Sequence, residues 1–453
     1  MHRTVLLLAA ASFTTTVQVH AQAAGNASFA RDIAPILQKK CVTCHGPEKQ
    51  KGNFRLDSFE ALLKPGASKQ PAVVPGKPEA SHLLQLLTTK DADDRMPQKD
   101  DPLPAAQIAL VERWIREGAA YDSTDRRAPL AAIIPRVPHP APPEVYKMPL
   151  PVLALAFSPD GQQLASSGYN EVNVWSVADG KLLRRIRGVA QRTHALAWGP
   201  DASGWLAVAG GDPGQLGEVV LLDMRKGEVA RVMASLPDIV LDVKFSPDGS
   251  RLAIGGTDNS IRVLDVAGGR EQLRIDQHAD WVMSVAWNHD GTELASASRD
   301  RSARVFNAKT GELEHSYLGH NLAVSSVAFS ADGKTVFTAG RDKKIHSWAA
   351  KDAKKIGEIT GFDDDILRIV VAGGSVWSCG ADKLVRQHAI EGASLVRAYG
   401  GHADWVYSLA VHPATKRAAS GSHDGKVRVW NTEDGSLVTE FSASPGWTPT
   451  GQK

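Results

Sequence analysis

Apolar residues follow different periods in different parts of this chain. In the first part they recur at spacings of three and four, over Phe29 to Leu37, Leu83 to Leu87 and Ile108 to Ile115. Prolines stand shortly before the second and third stretches, where they start helices rather than break them. Because this spacing places apolar side chains on one face of a helix, we predict a small all-α domain over residues 27–121.

A long repeat marks the second part of the chain. A polar turn recurs at positions 158, 199, 246, 288 and 330, which gives a repeat of about 42 residues. Each turn follows a short strand such as Val285-Ala286-Trp287, and further strands follow each turn. Four strands in about 42 residues form one blade of a β-propeller. Two more units begin at Ile366 and Val406, so we predict an all-β, seven-bladed propeller over residues 151–445.

The N-terminus has the parts of an export signal. A basic start precedes an apolar run from Val5 to Phe13, and the small residues Ala21-Gln22-Ala23 follow. A threonine tract ends the apolar run before it reaches the length of a membrane span. We expect residues 1–23 to be a cleaved signal peptide rather than a retained membrane helix. The mature protein would then lie outside the cytoplasm, in a bacterial periplasm, with no integral membrane segment.

Between the two domains, prolines recur at positions 129, 135, 138, 140, 142, 143, 149 and 151. This density favours extended, semi-rigid chain, so residues 122–150 are interpreted as a linker. Charge adds little, because 52 basic and 50 acidic residues are mixed along the chain and leave a formal net charge of +2. We therefore expect no nucleic acid partner.

The most informative motif is Cys41-Val42-Thr43-Cys44-His45. At this spacing two thiols can form thioethers to a haem while the histidine ligates its iron. Three alternatives compete with one covalently bound haem c. They are a thioredoxin-like redox pair, for which the βαβ pattern is absent, a zinc site that recruits His82, and a surface disulfide.

Two residues compete as the sixth iron ligand. Met96 lies in a polar stretch of aspartates before Pro97, where core filling explains a methionine poorly. His82 lies in a leucine-rich helix, where a histidine is more commonly a surface residue. A thioether opposite a histidine fills both axial positions, which suits electron transfer. We therefore predict cofactor binding by Cys41, Cys44, His45 and Met96, with the iron held by His45 and Met96, and no catalytic residues.

The first domain resembles the planctomycete-type cytochrome c domain. The resemblance is carried by these segments: Asp32 to Leu37, Cys41 to His45, Gly52 to Asp57, Val74 to Gly76, Ser81 to Leu84, Arg95 to Pro97 and Trp114 to Ala119. It implies a small c-type cytochrome with histidine and methionine as axial ligands. In this chain the matching positions are His45 and Met96.

The second domain resembles the WD-repeat family. The polar set of that family is found in the last repeat as His402, Ser420, Asp424 and Trp430, in the fifth as His320, Thr338, Asp342 and Trp348, and in the fourth as His278, Ser296 and Asp300, with Phe306 for the tryptophan. The resemblance implies that these residues join the strands and turn of one blade. Their recurrence every 42 residues or so favours a structural role over metal binding or catalysis.

These patterns predict an exported c-type cytochrome that transfers single electrons, with the propeller as a docking platform for a redox or other protein partner. We expect an electron-transfer protein rather than an enzyme in its own right. Two alternatives remain open. In one, an oxidoreductase holds a second cofactor or a substrate in the propeller. In the other, the chain is an interaction scaffold without redox activity.

Overall fold

The computed structural model describes residues 26–47, 49–98, 101–123, 125–135, 138–200 and 203–448. The chain divides into two compact units, residues 1–135 and 136–453. The expected signal peptide, residues 1–23, lies outside the described residues. Within those residues, none of the helices has the length and apolar character needed to cross a membrane.

Short helices build the first unit. Its α-helices are α1 (Ala34–Lys40), α2 (Val42–His45), α3 (Phe59–Leu62), α4 (His82–Thr88), α5 (Ala105–Arg116) and α6 (Leu130–Ile133), with a π-helical turn at Phe29–Ile33 and 3-10 turns at Lys51–Asn53 and Pro78–Ala80. The π-helical turn is capped by Ser28, whose Oγ accepts from the backbone N of Arg31 at 3.0 Å. The all-α prediction is confirmed: its three helices correspond to α1 with the preceding turn, to α4 and to α5.

An aromatic cluster forms the centre of this unit. Phe29, Phe59 and Trp114 are at most 3% exposed, and the Phe29 ring lies 4.8 Å from Phe59 and 5.3 Å from Trp114. Trp114 Nε1 donates to the carbonyl of Ala120 at 3.0 Å, which satisfies its polar group. Burying each such ring stabilises the fold by about 1.5–3 kcal/mol, so this cluster fixes α5 against the N-terminal turn.

The proline-rich segment 122–150 is divided between the units. In the first unit, Pro129 pairs with Ser58, Leu130 is fully buried, and one helical turn, α6, forms where prolines are absent. In the second unit, Tyr146 is buried and its hydroxyl donates to Glu171 Oε1 at 2.7 Å. Both parts of the segment are therefore packed against the unit to which they belong.

The second unit consists of antiparallel strands. Blades one and two comprise β1 (Leu155–Phe157), β2 (Gln163–Ser167), β3 (Tyr169–Ser176), β4 (Leu182–Trp198), β5 (Trp205–Asp212), β6 (Leu216–Asp223) and β7 (Glu228–Leu236). These seven strands form one sheet in sequence order. Strand β4 joins the two blades, since residues 182–187 pair with β3 and residues 192–198 pair with β5.

Five four-stranded sheets follow, each also in sequence order. Blade three has β8 (Val240–Phe245), β9 (Arg251–Gly256), β10 (Ile261–Asp265) and β11 (Glu271–Ile275); blade four has β12 (Val282–Trp287), β13 (Glu293–Ser298), β14 (Ala303–Asn307) and β15 (Leu313–Tyr317). Blade five has β16 (Val324–Phe329), β17 (Thr335–Gly340), β18 (Ile345–Ala349) and β19 (Lys355–Ile359). Blade six has β20 (Ile366–Ala372), β21 (Ser375–Gly380), β22 (Val385–Ala389) and β23 (Leu395–Tyr399), with a 3-10 turn at Glu391–Ala393. Blade seven has β24 (Val406–His412), β25 (Arg417–Ser422), β26 (Lys426–Asn431) and β27 (Leu437–Ser442), with a 3-10 turn at Pro413–Thr415.

The blades form a closed ring. The first strands of successive blades contact each other in order, and β24 of the last blade contacts β1 of the first. Blades one and seven each use strands from one continuous stretch of chain, so the ring closes without strand exchange. At this junction Val152 N donates to Ser422 O at 3.0 Å, and Ser408 Oγ donates to Val152 O at 2.8 Å. The predicted seven-bladed, all-β propeller is confirmed.

Candidate functional site

One helical turn holds the cysteine motif together. Cys41 ends α1, where its backbone N donates to Leu37 O at 2.9 Å. The backbone N atoms of Cys44 and His45 then donate to Cys41 O at 3.1 and 3.0 Å, so both residues follow Cys41 within a single turn. Gly46 ends α2, and a Cβ at this position would stand 2.6 Å from Val42 O. The glycine therefore lets the chain leave the turn directly after the histidine.

The two thiols of the motif lie at the edge of the apolar core. Both cysteines are free and partly buried, and Cys41 packs against the aromatic core of the unit. Burial, reinforced by the neighbouring Cys44, raises the pKa of the Cys41 thiol to about 12, so this thiol is protonated at neutral pH in the absence of a bound group.

The His45 side chain presents a buried nitrogen. Its ring lies 5.6 Å from the Phe54 ring, and its backbone carbonyl accepts from Leu56 N at 2.9 Å. Among the described residues, no hydrogen-bond partner reaches the buried Nδ1 atom of His45. A buried polar atom without a partner is costly, so this imidazole is suited to bind a group that the polypeptide does not supply.

Met96 borders the same apolar core as Cys41. It is half-buried, and its backbone N donates to Leu86 O at 2.9 Å, which ties the loop after α4 to that helix. The rival histidine, His82, lies at the start of α4 with its Nδ1 3.3 Å from Gln85 Oε1 on the exposed side. Met96 thus faces apolar residues, whereas His82 contacts a polar surface neighbour.

Two further residues of this unit were not assigned by sequence reasoning. Phe54 contacts the His45 ring, and the buried Nε of Arg95 has no hydrogen-bond partner among the described residues. Arg95 directly precedes Met96 and belongs to the Arg95 to Pro97 segment of the family resemblance, which were the available signs of a role. The ring contact of Phe54 depends on the fold and has no sign in the sequence.

The recurring polar sets of the propeller form hydrogen-bonded chains within single blades. In each set, the histidine Nδ1 is hydrogen-bonded to an aspartate Oδ2 and its Nε2 to a serine or threonine hydroxyl. The Nδ1 and Nε2 distances are 2.8 and 2.7 Å for His278, 2.8 and 2.9 Å for His320, and 3.2 and 2.8 Å for His402. Each aspartate also accepts from the backbone after its histidine. These contacts support the structural interpretation of the three sets.

The pKa of Asp424 reflects this bonding. Burial by itself raises the pKa, but hydrogen bonds from His402 and the Ala403 backbone outweigh it and hold the pKa below its ordinary value. The carboxylate is therefore ionised at neutral pH while only 10% of its side chain is exposed. Its charge belongs to the fold of blade seven and is not available to a substrate.

Tryptophan and charged residues cover the loops before two blades. Trp281 and Trp405 are 36% and 45% exposed. The guanidinium of Arg299 lies 4.5 Å from the Trp281 ring centre, and its Nε is 3.0 Å from Asp280 Oδ2. Large exposed aromatic residues with arginine are typical of protein-binding surfaces.

Comparison with known proteins agrees with this two-part architecture. Residues 41–100 match the family model of the planctomycete cytochrome C, and five stretches match the WD domain, G-beta repeat, namely residues 145–176, 231–265, 269–307, 311–349 and 393–431. The fold defines a small helical cytochrome-type unit joined to a repeat propeller. The chain carries a planctomycete cytochrome C domain followed by WD repeats, as the sequence predicts.

Similar curated proteins match only part of this chain. An uncharacterized WD repeat-containing protein of Synechocystis is 31% identical over 101 residues, which are 22% of this chain and 28% of that protein. The small ribosomal subunit protein RACK1 of Candida albicans is 35% identical over 119 residues, 25% of this chain and 37% of that protein. The cell division cycle 20.1 protein of Arabidopsis thaliana, a cofactor of the APC complex, is 30% identical over 118 residues, 25% of this chain and 24% of that protein. The chain spans less than two-fifths of the length of these relatives.

Proposed function

We propose that this protein is an exported c-type cytochrome that binds one haem covalently and transfers single electrons. The observation that carries the proposal is the turn at Cys41, which gathers two free thiols and a histidine whose buried Nδ1 has no partner in the part of the chain that the structure describes. A haem with histidine and methionine ligands supplies reversible one-electron chemistry at iron. The match to the planctomycete cytochrome C model supports the same cofactor.

The residues have distinct roles in this proposal. Cys41 and Cys44 would anchor the haem through thioether bonds, and His45 and Met96 would bind its iron. Phe54 contacts the His45 ring and restrains its orientation. Met96 and Cys41 both pack against the apolar core of the unit, which would supply an apolar surface beside the haem.

Export follows from the same proposal. Haem attachment of this type takes place on the outer side of the bacterial membrane, as the resemblance to c-type cytochromes implies. Residues 1–23 have the composition of a signal peptide that would carry the chain there. The proposed location is the periplasm.

We assign protein docking to the propeller. Among the similar WD proteins, one is named as a ribosomal subunit protein and another as a cofactor of a complex. We place an unidentified redox or other protein partner on the loops that carry the exposed Trp281 and Trp405, with Arg299 beside Trp281. No nucleic acid partner is proposed, because the charges of the chain nearly balance.

One measurement tests the cytochrome proposal. The full chain is expressed with haem-attachment machinery, denatured, and assayed for haem that stays bound to the polypeptide. We expect one haem per chain and no other organic cofactor. A second cofactor would favour an oxidoreductase with a site in the propeller. Absence of bound haem would overturn the proposal and favour an interaction scaffold.

A further inference from the structure

An aspartate and an arginine four residues later recur at the polar turn between the second and third strands of four blades. The pairs are Asp258 and Arg262, Asp300 and Arg304, Asp382 and Arg386, and Asp424 and Arg428. Arg262 and Arg304 lie 2.7 and 3.8 Å from their aspartates, Arg386 also pairs with its own, and Arg428 pairs with Glu440 at 2.5 Å. Each arginine side chain is at most 18% exposed. A fixed positive charge therefore lies beside the polar turn in these blades.

Blade five breaks this pattern. Asp342 is present at the turn, but His346 stands where the other four blades have arginine. The His346 ring stacks on the His320 ring with centres 4.2 Å apart, and the side chains of His320, Asp342 and His346 are 0%, 7% and 3% exposed. This position therefore has an imidazole in place of the permanently charged guanidinium that the other four blades have there.

Two atoms of this cluster that could bind a metal have no hydrogen-bond partner among the described residues. They are Asp342 Oδ1 and His346 Nε2, both buried. In blade four the corresponding Oδ1 of Asp300 accepts from the Ser302 backbone at 2.9 Å, and in blade seven that of Asp424 accepts from the Lys426 backbone at 2.8 Å. Among the described residues, blade five thus lacks both the arginine and the backbone hydrogen bond to the aspartate Oδ1, although Asp342 Oδ2 keeps its contacts.

The other nitrogen of His346 is already engaged. Its Nδ1 lies 2.9 Å from the hydroxyl of Tyr317. With the proton on Nδ1, this contact fixes the ring and leaves the Nε2 lone pair for a ligand, as the partner of a metal-binding histidine does. Glu358 Oε2 is 3.6 Å from Nε2, and Glu358 is itself paired with Lys344 and Lys355.

We propose that His320, Asp342 and His346 form a binding site for a divalent transition metal, best suited to Zn²⁺. One donor atom from each residue lies within 4.8 Å of the others. Zinc binds imidazole and carboxylate at about 2.0–2.2 Å, so its ligands lie roughly 3–3.6 Å apart. Because an imidazole lone pair lies in the plane of its ring, the stacked His320 and His346 rings would have to rotate toward the ion as it binds. Two nitrogens with one oxygen favour zinc over Mg²⁺ or Ca²⁺.

The ion would replace the missing arginine as the positive charge of blade five. His320 keeps its contact with Thr338 through Nε2 and offers Nδ1, which now lies 2.8 Å from Asp342 Oδ2. Binding through Nδ1 releases any proton held on that atom to solvent. The fourth position is left to Glu358 or water.

Zinc stoichiometry of the full chain tests this site. The protein is treated with chelator, dialysed against Zn²⁺ and analysed for zinc and iron as separate elements. The central variant is His346→Arg, which installs the residue of the other four blades and is therefore expected to fold. We expect one zinc per chain at this site in the unaltered protein and at least a 100-fold weaker affinity in His346→Arg.

Two controls separate this site from other sources of bound zinc. His423→Ala removes a half-exposed histidine paired with Asp404, and it should leave the stoichiometry unchanged. The double variant Cys41→Ser, Cys44→Ser removes any zinc bound at the first unit, so failure of the haem proposal is measured separately. Zinc should also raise the melting temperature of the unaltered propeller but not that of His346→Arg.

The proposal is overturned if the unaltered chain takes up no zinc, or if His346→Arg binds zinc equally well. If His346→Arg fails to fold by circular dichroism, His346→Gln takes its place, since it keeps the size and neutrality of the side chain while removing the Nε2 lone pair. Equal zinc affinity in that variant overturns the proposal in the same way.

Discussion

The two units of this protein use histidine in opposite ways. In the first unit, His45 completes a Cys-x-x-Cys-His motif that occurs once in the sequence, and its Nδ1 has no partner among the residues that the structure describes. In the propeller, His278, His320 and His402 recur at equal positions of their blades and each is bonded through both ring nitrogens. A motif that occurs once indicates chemistry, whereas a residue that recurs with the repeat indicates architecture.

The propeller also shows the value of an exception to the repeat. Blades three, four, six and seven have arginine four residues after the turn aspartate, and blade five has His346. The exception coincides with two buried atoms, Asp342 Oδ1 and His346 Nε2, that have no hydrogen-bond partner within the described residues. Departure from the repeat, rather than the histidine as such, is what distinguishes the blade-five cluster from its structural neighbours.

Removing both thiols of the first unit should have the largest effect. In Cys41→Ala, Cys44→Ala we expect nearly all covalently attached haem to be lost, because no thioether can form. The measurement is haem retained by the denatured chain. Cys379→Ala is the matched control, since Cys379 is 2% exposed in the propeller and its thiol has a pKa raised by burial to about 12. Equal loss in this control would contradict the assignment.

Breaking a recurring polar set should destabilise one blade and leave the first unit unchanged. Asp424→Ala removes the partner of His402 and of the Ala403 and Lys426 backbone groups. We expect a loss of roughly 2–4 kcal/mol in the free energy of unfolding of the propeller, because buried donors are left unpaired. Urea unfolding measures this loss.

The control for that variant is an aspartate outside the set. Asp276→Ala removes a half-exposed carboxylate beside Arg274 and should change the unfolding free energy by less than about 0.5 kcal/mol. A change in the haem spectrum of folded Asp424→Ala would show that the two units do not act separately.

Much of this architecture was predictable because local patterns determine it. The apolar spacing over residues 29–37 and 105–116 follows the helices, and the turn repeat follows the blades. The joining of blades one and two through β4 was not predictable, because it depends on a 17-residue strand that serves two sheets. Ring closure at Val152 and Ser422 also rests on contacts between distant parts of the chain.

The candidate sites show the same division. The spacing of Cys41, Cys44 and His45 is a local feature, so sequence reasoning could name them, and their role as haem ligands stays a prediction. Met96 was chosen by its polar surroundings, although its side chain packs against the apolar core. Among the described residues, Asp342 Oδ1 and His346 Nε2 have no hydrogen-bond partner, and this depends on three-dimensional packing. Sequence reasoning therefore placed Asp342 in the structural set and did not consider His346.

Replacing Met96 should open the iron site without releasing the haem. In Met96→Ala we expect binding of an external ligand such as imidazole and a fall in reduction potential on the order of 0.1 V, within the roughly 0.8 V range set by axial ligands and surroundings. Optical titration and potentiometry measure the two effects. Met148→Ala, an exposed methionine of the second unit, should change neither. An unchanged potential with no ligand binding would remove Met96 from the site.

The smallest expected effect concerns pH. Burial, together with Arg192 and Arg368, lowers the pKa of His194 in strand β4 to about 4, and no hydrogen-bond partner reaches its buried Nε2 among the described residues. The unfolded chain therefore binds a proton between pH 6.5 and 4 that the folded chain excludes, so the stability contributed by His194 decreases as the pH falls through this range.

The propeller's free energy of unfolding should fall between pH 7 and pH 5, and in His194→Gln we expect this fall to be smaller by about 1–2 kcal/mol. Urea unfolding at the two pH values, in chelator-containing buffer, measures the difference. His423→Gln, which changes a half-exposed histidine, should keep the full pH dependence. If His194→Gln keeps the full pH dependence of stability, the His194 imidazole must take up its proton in the folded propeller as readily as in the unfolded chain. Burial of this histidine would then not be enough to lower its pKa.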